Sequence, residues 1–450
     1  MQSGSSQPRL PLSQALIYSF GYFGVQLMAF SIGQIPQVFY VPEEGEALVA
    51  QLAFGSRILA GGFLFGLLNG LGRVVDGVVD PWIGNMSDHW RSRFGRRKPF
   101  LVVGAPLMAV FLVLFTLPPS HSPSLVNIFY LAVVYPLFFL FFTIAITPYL
   151  AMLPQITRTS ADRLLVTTLQ AAFLILGTFA GVVLVGMIPH RISFPAGAAI
   201  IGSLATVPFL LVAFFAKMPE EPSSEHIQPR PSTLGQIRQA LAFAPFRIYL
   251  ISIVAFWFGF KMIETSARYV AVHLAGDISE YTKILGTTLG VAAVCGIGAY
   301  WVGRKLGKRR SMILMSVLFV VLLPFVGMIG WGPLGSKAAS YALFALLGVP
   351  LSLLFVIPNS LLADIIDRDS ERSGARREGL FFASQALLNK IGIALAGLFL
   401  NILLPIGALS TATGTQAVGE AGVRLVGPVA AACVLIGLLI FLRFPDVEKR

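Results

Sequence analysis

The stretch RVVDGVVDPWIGNMSDHWRSRFGRRKP, residues 73–99, sets three ionisable side chains in an apolar segment and follows them with a basic loop. Arg73, Asp76 and Asp80 are spaced by three and four residues, so a helix would carry them on one face. Each ionisable side chain at the centre of a bilayer costs roughly 2.5–3.5 kcal/mol. The face must therefore line a polar cavity, or else form a buried Arg–Asp pair that pins two helices together.

The composition indicates that lipid surrounds most of the chain. Of the 450 residues, 56% are hydrophobic and 12% are charged, whereas soluble domains carry about 25% charged residues. A membrane-spanning helix needs about 20 mostly apolar residues. Segments of that kind recur twelve times along the sequence, which predicts an all-α polytopic membrane protein with twelve transmembrane helices.

A polar segment at residues 217–244 divides the chain into two halves of six predicted helices, 1–216 and 245–450. The halves resemble each other. The basic loops at 84–98 and 303–310 each contain a glycine. The separation of these two glycines along the chain is nearly the same as that of Pro148 and Pro358. Internal duplication of this kind is common in secondary transporters. We therefore expect two pseudo-symmetric six-helix bundles joined by a cytoplasmic linker.

The net charge of +12 is concentrated in short loops between apolar segments, such as 91–98, 304–310 and 368–377. Basic loops of membrane proteins stay in the cytoplasm. The pattern predicts a multi-pass protein of the plasma (inner) membrane with both termini cytoplasmic, and it argues against a nucleic-acid partner. We expect a monomer that contacts membrane lipid and a small-molecule substrate, and that needs no cofactor.

The two acidic residues of the second helix predict a site for a coupling cation. Carboxylates one helical turn apart repel each other, which favours their sharing a proton or a metal cation. Asp76 and Asp80 are therefore the candidate ligands for H⁺ or Na⁺. Arg73 on the same face and Lys390, at a matching depth in the eleventh helix, are the expected charge partners.

Candidate substrate residues lie on two other helices. Tyr22 and Gln26 share a face of the first helix, where they would bind a neutral polar solute or serve ordinary helix contacts. Lys261 and Glu264 lie one turn apart in the seventh helix, and a structural ion pair is the alternative to a substrate role.

Further motifs accompany residues 73–99: PY at 148–149, ADIID at 363–367 and RREGLFF at 376–382, which leads to Lys390. Together they resemble the glycoside–pentoside–hexuronide:cation symporters of the major facilitator superfamily, which include the melibiose permease. The resemblance implies the major facilitator fold. It also implies that Asp76 and Asp80 bind the coupling cation, that Lys390 lies nearby, and that Thr143 is a further ligand.

The sequence departs from that permease at several positions. Val79 replaces an asparagine ligand, which favours H⁺ over Na⁺ because Na⁺ needs several oxygens. Gln26 and Ile146 fall near the positions of its sugar-binding acids, and Gln170 falls near that of an arginine. A galactoside is therefore disfavoured, while Gln170 stays a candidate for other sugars.

The loop after the second helix also resembles the cytoplasmic signature of the superfamily. The resemblance implies a conformational gate in which Asp88 pairs with nearby arginines, with Arg93 and Arg96 as the candidates. A basic loop that only sets membrane orientation is the alternative, and the two roles are compatible.

These observations predict a cation-coupled symporter of a small organic solute, a sugar or glycoside, that works by alternating access. A carrier or exporter of a lysolipid or another amphiphile is the main alternative. A membrane enzyme or a sensor that does not transport is a third, although the five histidines form no catalytic or metal-binding pattern.

Overall fold

The computed structural model describes residues 10–41, 57–157, 160–217, 241–276, 280–373, 378–408, 410–411, 414–415 and 418–445. Within these residues, twelve helices have 15 residues or more. They are α1 (Leu12–Tyr40), α2 (Arg57–His89), α3 (Lys98–Leu114), α4 (Leu125–Ala151), α5 (Ser160–Arg191), α6 (Phe194–Phe215), α7 (Ala244–His273), α8 (Glu280–Leu306), α9 (Lys308–Leu322), α10 (Lys337–Ser373), α11 (Glu378–Leu403) and α12 (Glu420–Phe441).

Short elements complete the described structure. A one-turn helix, Leu153–Ile156, follows α4, and 3₁₀ turns at Leu323–Met328 and Gly332–Leu334 follow α9. Strands Ser410–Thr411 and Gly414–Thr415 form a two-residue antiparallel pair between α11 and α12.

Nine of the described helices are long and apolar enough to cross a membrane. Helix α3, with 17 residues, is apolar but shorter, and α2 and α8 lie outside that set of nine. The prediction of an all-α membrane protein is confirmed. The number of twelve membrane crossings stays a prediction.

The chain packs as two compact units. The first contains α1 up to Phe39, α2 from Leu71 onward, and α3 to α6 without Leu125, the first residue of α4. The second contains α2 up to Gly70 and α7 to α12. The predicted boundaries at 1–216, 217–244 and 245–450 stay a prediction, because residues 218–240 of the linker lie outside the described residues.

Within the second unit, α7 and α11 contact the segment from Tyr40 to Gly70. The Tyr269 hydroxyl on α7 donates a hydrogen bond of 3.0 Å to the Val41 carbonyl. A Cβ on Gly66 would lie 3.1 Å from the Cα of Leu398 on α11. Glycine at position 66 therefore lets the backbones of α2 and α11 approach closely.

The two basic loops adopt similar local structures, as the internal resemblance predicts. Gly95 and Gly307 both have positive φ angles, +94° and +82°. The loop in the second unit is tied to α10, because the Lys308 ammonium lies 2.6 Å from both carboxylate oxygens of Asp364. The loop in the first unit is tied to α4 through Arg97, which donates to the Ala151 carbonyl.

Two glycines of the second unit give a matched test of helix packing. A Cβ on Gly348 of α10 would lie 2.6 Å from the Thr288 carbonyl oxygen of α8, whereas a Cβ on Gly290 of α8 would meet no atom within 4 Å. We expect Gly348→Ala to lower the melting temperature of the purified protein. Gly290→Ala should leave it unchanged or raise it, since alanine stabilises a helix by about 0.5–1 kcal/mol over glycine. A Gly348→Ala protein that melts at or above the wild-type temperature would contradict this packing.

Candidate functional site between α2 and α4

Two hydroxyl–carboxylate hydrogen bonds join α2 to α4 inside the first unit. The Thr143 hydroxyl donates to Asp76 Oδ1 at 2.6 Å, and the Thr147 hydroxyl donates to Asp80 Oδ1 at 2.7 Å. The threonines are four residues apart on α4, as the aspartates are on α2, so each helical turn of one helix faces a turn of the other. We call these four residues the ladder.

The two rungs of the ladder differ in burial. Asp76 and Thr143 are each 1% exposed, whereas Asp80 and Thr147 are half-buried. Burying a carboxylate is costly unless hydrogen-bond donors replace its water. A hydroxyl that donates to a charged acceptor forms one of the stronger hydrogen bonds in proteins. The threonines therefore compensate part of the cost of placing two acids in an apolar helix.

Arg73 lies on the same face of α2, one turn before Asp76. Its guanidinium carbon is 4.6 Å from the centroid of the Phe139 ring on α4, which is cation–π distance. The neighbouring Gly72 makes this close approach possible, because a Cβ there would lie 2.5 Å from the Phe139 ring. Arg73 shares a helix face with the two acids and contacts the Phe139 ring of α4. Its role as their charge partner stays a prediction.

The ladder offers oxygen ligands for a small cation. Carboxylate and hydroxyl oxygens are hard donors that suit alkali cations, and the carboxylates can also accept a proton. Val79 contributes no oxygen, as the sequence predicts, but Thr147 brings a hydroxyl to Asp80. The candidate oxygen ligands therefore include Thr147 beside Thr143 and the two acids, and the choice between H⁺ and Na⁺ stays a prediction.

The structure places the predicted substrate residues on several elements. Tyr22 and Gln26 are half-buried on α1, and Gly177 of α5 packs against Gln26. Gln170 of α5 is buried and donates to the Tyr149 hydroxyl at 3.3 Å. Gln170 therefore belongs to a hydrogen-bonded cluster inside the first unit, and its contact with a substrate stays a prediction.

That cluster joins α1 to α4. The Tyr149 hydroxyl donates to the Tyr18 carbonyl at 2.8 Å, and the Tyr18 hydroxyl donates to the Tyr149 carbonyl at 2.9 Å. Gly21 leaves room for this exchange, because a Cβ there would lie 2.5 Å from the Tyr149 ring. The cluster holds α4, and with it the ladder threonines, in a fixed position relative to α1.

The predicted substrate residues Lys261 and Glu264 and the predicted charge partner Lys390 lie in the second unit. Lys261 and Glu264 form an ion pair on α7 with a distance of 2.7 Å, as their spacing predicts. Lys390 is half-buried on α11. Its role as a counter-charge for Asp76 and Asp80 stays a prediction.

The predicted gate is described in part. The side chain of Asp88 lies outside the described residues. Arg93 is exposed, with its guanidinium carbon 5.4 Å from the Phe94 ring centroid, and Arg96 is half-buried. Arg97, which the sequence analysis did not single out, is the arginine whose hydrogen bond reaches α4, at the Ala151 carbonyl.

Thr147 was also missed by the sequence analysis, although a signal for it exists. Its distance of four residues from Thr143 repeats the spacing of Asp76 and Asp80. Matching polar spacings on two apolar helices indicate a pairing that neither helix shows by itself.

Comparisons with known proteins agree with this architecture. Residues 17–446 match the family described as MFS/sugar transport protein. The chain is 24% identical to an isoprimeverose transporter of Lactiplantibacillus pentosus, over 88% of this chain and 81% of the relative. It is 25% identical to the putative glycoside/cation symporter YagG of Escherichia coli K12 (79% and 77% covered). It is 22% identical to the sodium-dependent lysophosphatidylcholine symporter 1-B of Danio rerio (99% and 89% covered).

Solved structures share the fold. The nucleoside transporter NupG superimposes with a TM-score of 0.66 at 12% identity, covering 97% of this chain and 99% of that one. A bacterial homolog of the human lysosomal transporter Spinster, in an inward-facing and unoccupied conformation, gives 0.68 at 10% identity, with 98% of both chains covered. At these identities the likeness shows the major facilitator fold and nothing further.

The more buried pair of the ladder, Thr143 and Asp76, can be tested through the thermal stability of the protein. Thr143→Val removes the hydroxyl donor from a buried carboxylate at nearly constant volume, and a hydrogen bond to a charged group contributes roughly 1.5–3 kcal/mol. We expect a lower melting temperature in detergent at neutral pH. Thr178→Val on α5 is the matched control, because the Thr178 hydroxyl donates to the Leu174 carbonyl of its own helix. Equal melting temperatures for the two variants would show that the Thr143–Asp76 bond does not stabilise the fold.

Proposed function

The chain belongs to the MFS/sugar transport protein family, and we propose that it is a secondary active transporter that couples entry of H⁺ or Na⁺ to the movement of a glycoside. The observation that supports coupling is the ladder, two carboxylates that each accept a hydrogen bond from a threonine of α4, a helix long and apolar enough to cross a membrane. Intramembrane acids of this kind mark ion pathways in transporters.

The ladder has the chemistry of a reversible cation site. A threonine hydroxyl has one hydrogen to donate and lone pairs to offer. In one arrangement the hydrogen points to the carboxylate. In the other, a Na⁺ ion lies between the carboxylates, the hydroxyl lone pairs face it, and the hydrogen turns to a backbone carbonyl one turn earlier in α4. A proton on one carboxylate would relieve the same repulsion.

Cation binding would then control the alternation of access. Carboxylates without a cation resist transfer of α2 through an apolar environment, whereas a neutralised pair costs less to move. Cation and solute bound together lower the barrier between states that open to opposite sides of the membrane, so the cation does not cross alone. The gradient of the cation thereby drives accumulation of the solute.

The substrate class rests on the relatives. Names of the similar proteins include an isoprimeverose transporter and a putative glycoside/cation symporter, which favours a sugar or glycoside. The lysophosphatidylcholine symporter of Danio rerio aligns with 99% of the chain. That alignment keeps a lysolipid as the second candidate substrate.

Several earlier expectations enter the proposal unchanged. We propose that both termini are cytoplasmic, that the protein works as a monomer without a cofactor, and that it carries its solute without altering it. Lys390 would respond to the charge of the ladder from the second unit. Asp88 would pair with Arg93 and Arg96 in the gate. The Arg97–Ala151 hydrogen bond, which the structure adds, would hold the loop after α2 against α4.

Neutralising the more accessible acid tests the coupling. In vesicles with an imposed Na⁺ or pH gradient, Asp80→Asn should abolish accumulation of the transported glycoside, because the site can no longer share a cation between two charges. Glu420→Gln is the control, since it removes a carboxylate that pairs with Arg424 at 2.7 Å at the start of α12. That variant should accumulate solute like the wild type.

Exchange of labelled for unlabelled solute, without any gradient, separates coupling from binding. Asp80→Asn should retain exchange even though accumulation is lost. Accumulation by Asp80→Asn equal to the wild type would contradict the proposal. The gradient that drives the wild type, Na⁺ at equal pH or H⁺ without Na⁺, identifies the ion.

A further inference from the structure

An open face of α7 carries aromatic and charged side chains together. Trp257, Phe260, Lys261 and Glu264 are spaced by three, one and three residues, so they share one side of the helix. All four are half-buried. The opposite side of α7 packs tightly, since a Cβ on Gly259 would lie 2.7 Å from Val434 of α12. In the second half of α7, this face is therefore the side that neighbouring helices leave partly uncovered.

Three aromatic rings meet at this face. The centroid of the Trp257 ring lies 5.9 Å from that of Phe260 and 6.2 Å from that of Phe355 on α10. The Phe260 and Phe355 centroids are 6.3 Å apart. The interplanar angles are 76°, 51° and 82°, so the three pairs meet edge to face or tilted. In edge-to-face and tilted arrangements, part of each ring face is not covered by a neighbouring ring.

The ion pair next to the rings supplies polar contacts. The Lys261 ammonium and the Glu264 carboxylate are 2.7 Å apart, and each side chain is 13% exposed. An ammonium has three hydrogens to donate and a carboxylate has several lone pairs. Charged side chains with so little exposure are energetically costly in a membrane helix, and they often mark functional positions.

We propose that Trp257, Phe260, Lys261 and Glu264 form a glycoside subsite in the second unit, an inference that rests on the proposed sugar transport and adds where one sugar ring binds. The C–H groups of a pyranose ring carry slight positive charge and form an apolar face that fits the negative face of an aromatic ring. The hydroxyl groups around the ring need neighbouring donors and acceptors, which Lys261 and Glu264 supply.

This combination distinguishes a sugar ring from an acyl chain. An acyl chain would pack on the aromatic rings, but it has no polar group for the ion pair beside them. Aromatic rings also bind quaternary ammonium groups, so competition by lysophosphatidylcholine is what separates its headgroup from a sugar. A site that forms hydrogen bonds with the hydroxyl groups of its ligand rejects ligands without such groups, because the polar groups of the site are then left without partners. Phe355 supports the rings from α10 and need not touch the ligand.

Tryptophan fluorescence tests the subsite directly. The chain has five tryptophans, and replacing Trp82, Trp90, Trp301 and Trp331 by phenylalanine leaves Trp257 as the reporter. Uptake by the wild type first identifies which of cellobiose, isoprimeverose and methyl glucoside it transports. We expect that sugar to change the Trp257 fluorescence in a saturable way, and lysophosphatidylcholine to leave this change undisturbed.

Matched variants then measure the contribution of the ring. Trp257→Ala should weaken sugar binding about tenfold or more, as truncation of a buried aromatic anchor does. Trp257→Phe should bind nearly as well as the wild type, because it keeps an aromatic face. Trp301→Ala is the control, since Trp301 is 58% exposed on α8 and lies outside the cluster. Binding is compared in calorimetry, with the melting temperature of each variant as a check of folding.

These experiments distinguish a failure of the proposed sugar transport from a failure of the proposed subsite. No cation-driven uptake of any of the three sugars by the wild type would refute the proposed sugar transport, and the subsite with it. Cation-driven uptake with an unresponsive Trp257, or with equal sugar binding by Trp257→Ala and Trp301→Ala, would overturn the subsite and leave the transport function standing. Displacement of the fluorescence change by lysophosphatidylcholine would overturn the assignment to a sugar.

Discussion

Two buried or half-buried carboxylates on one face of α2 are the constraint on which this architecture depends. Asp76 and Asp80 cannot face lipid without a large energetic cost, so α2 has to pack against a helix that offers hydrogen-bond donors. Helix α4 offers two, at the same four-residue spacing. Gly72 and the Phe139 ring bring the helices close enough for Arg73 to contact the ring. The hydrogen bonds that pack α2 against α4 are therefore also the contacts of the proposed cation site.

Further hydrogen bonds of α4 support the ladder within the first unit. Helix α4 is fixed to α1 by the reciprocal hydrogen bonds of Tyr18 and Tyr149, and its end is fixed to the loop after α2 by Arg97. A cation site needs ligands that hold their positions while the cation comes and goes. The hydrogen bonds around α4 provide that support without adding further charge to the membrane.

Much of the fold could be predicted from the sequence, because lipid restricts the choice of structure. Apolar segments of sufficient length have to be helices, and the charged face of α2 had to be paired or to line a cavity. The ion pair of Lys261 and Glu264 follows from their spacing in the same way. These predictions need only the periodicity of one helix.

The partners of these faces could not be predicted as fully. Thr147 is one threonine among many, and its role depends on the rotation of α4 relative to α2. The meeting of Trp257 with Phe355 depends on two helices far apart in the chain, and sequence periodicity carries no information about their relative depth. The resemblance to a known family pointed to Thr143, but it gave no reason to select Thr147 or the aromatic face of α7.

The most direct test of the central claim measures cation binding itself, through the melting temperature of the purified protein. Ligands that bind the folded state raise this temperature, and the increase grows with the logarithm of the ligand concentration relative to its dissociation constant. Wild-type protein is melted in NaCl and in choline chloride at equal ionic strength, and at acidic and neutral pH, beside Asp76→Asn/Asp80→Asn. The account predicts that Na⁺ or acid stabilises the wild type and that this increment is lost in the double variant. Identical responses of the two proteins to both cations would contradict it.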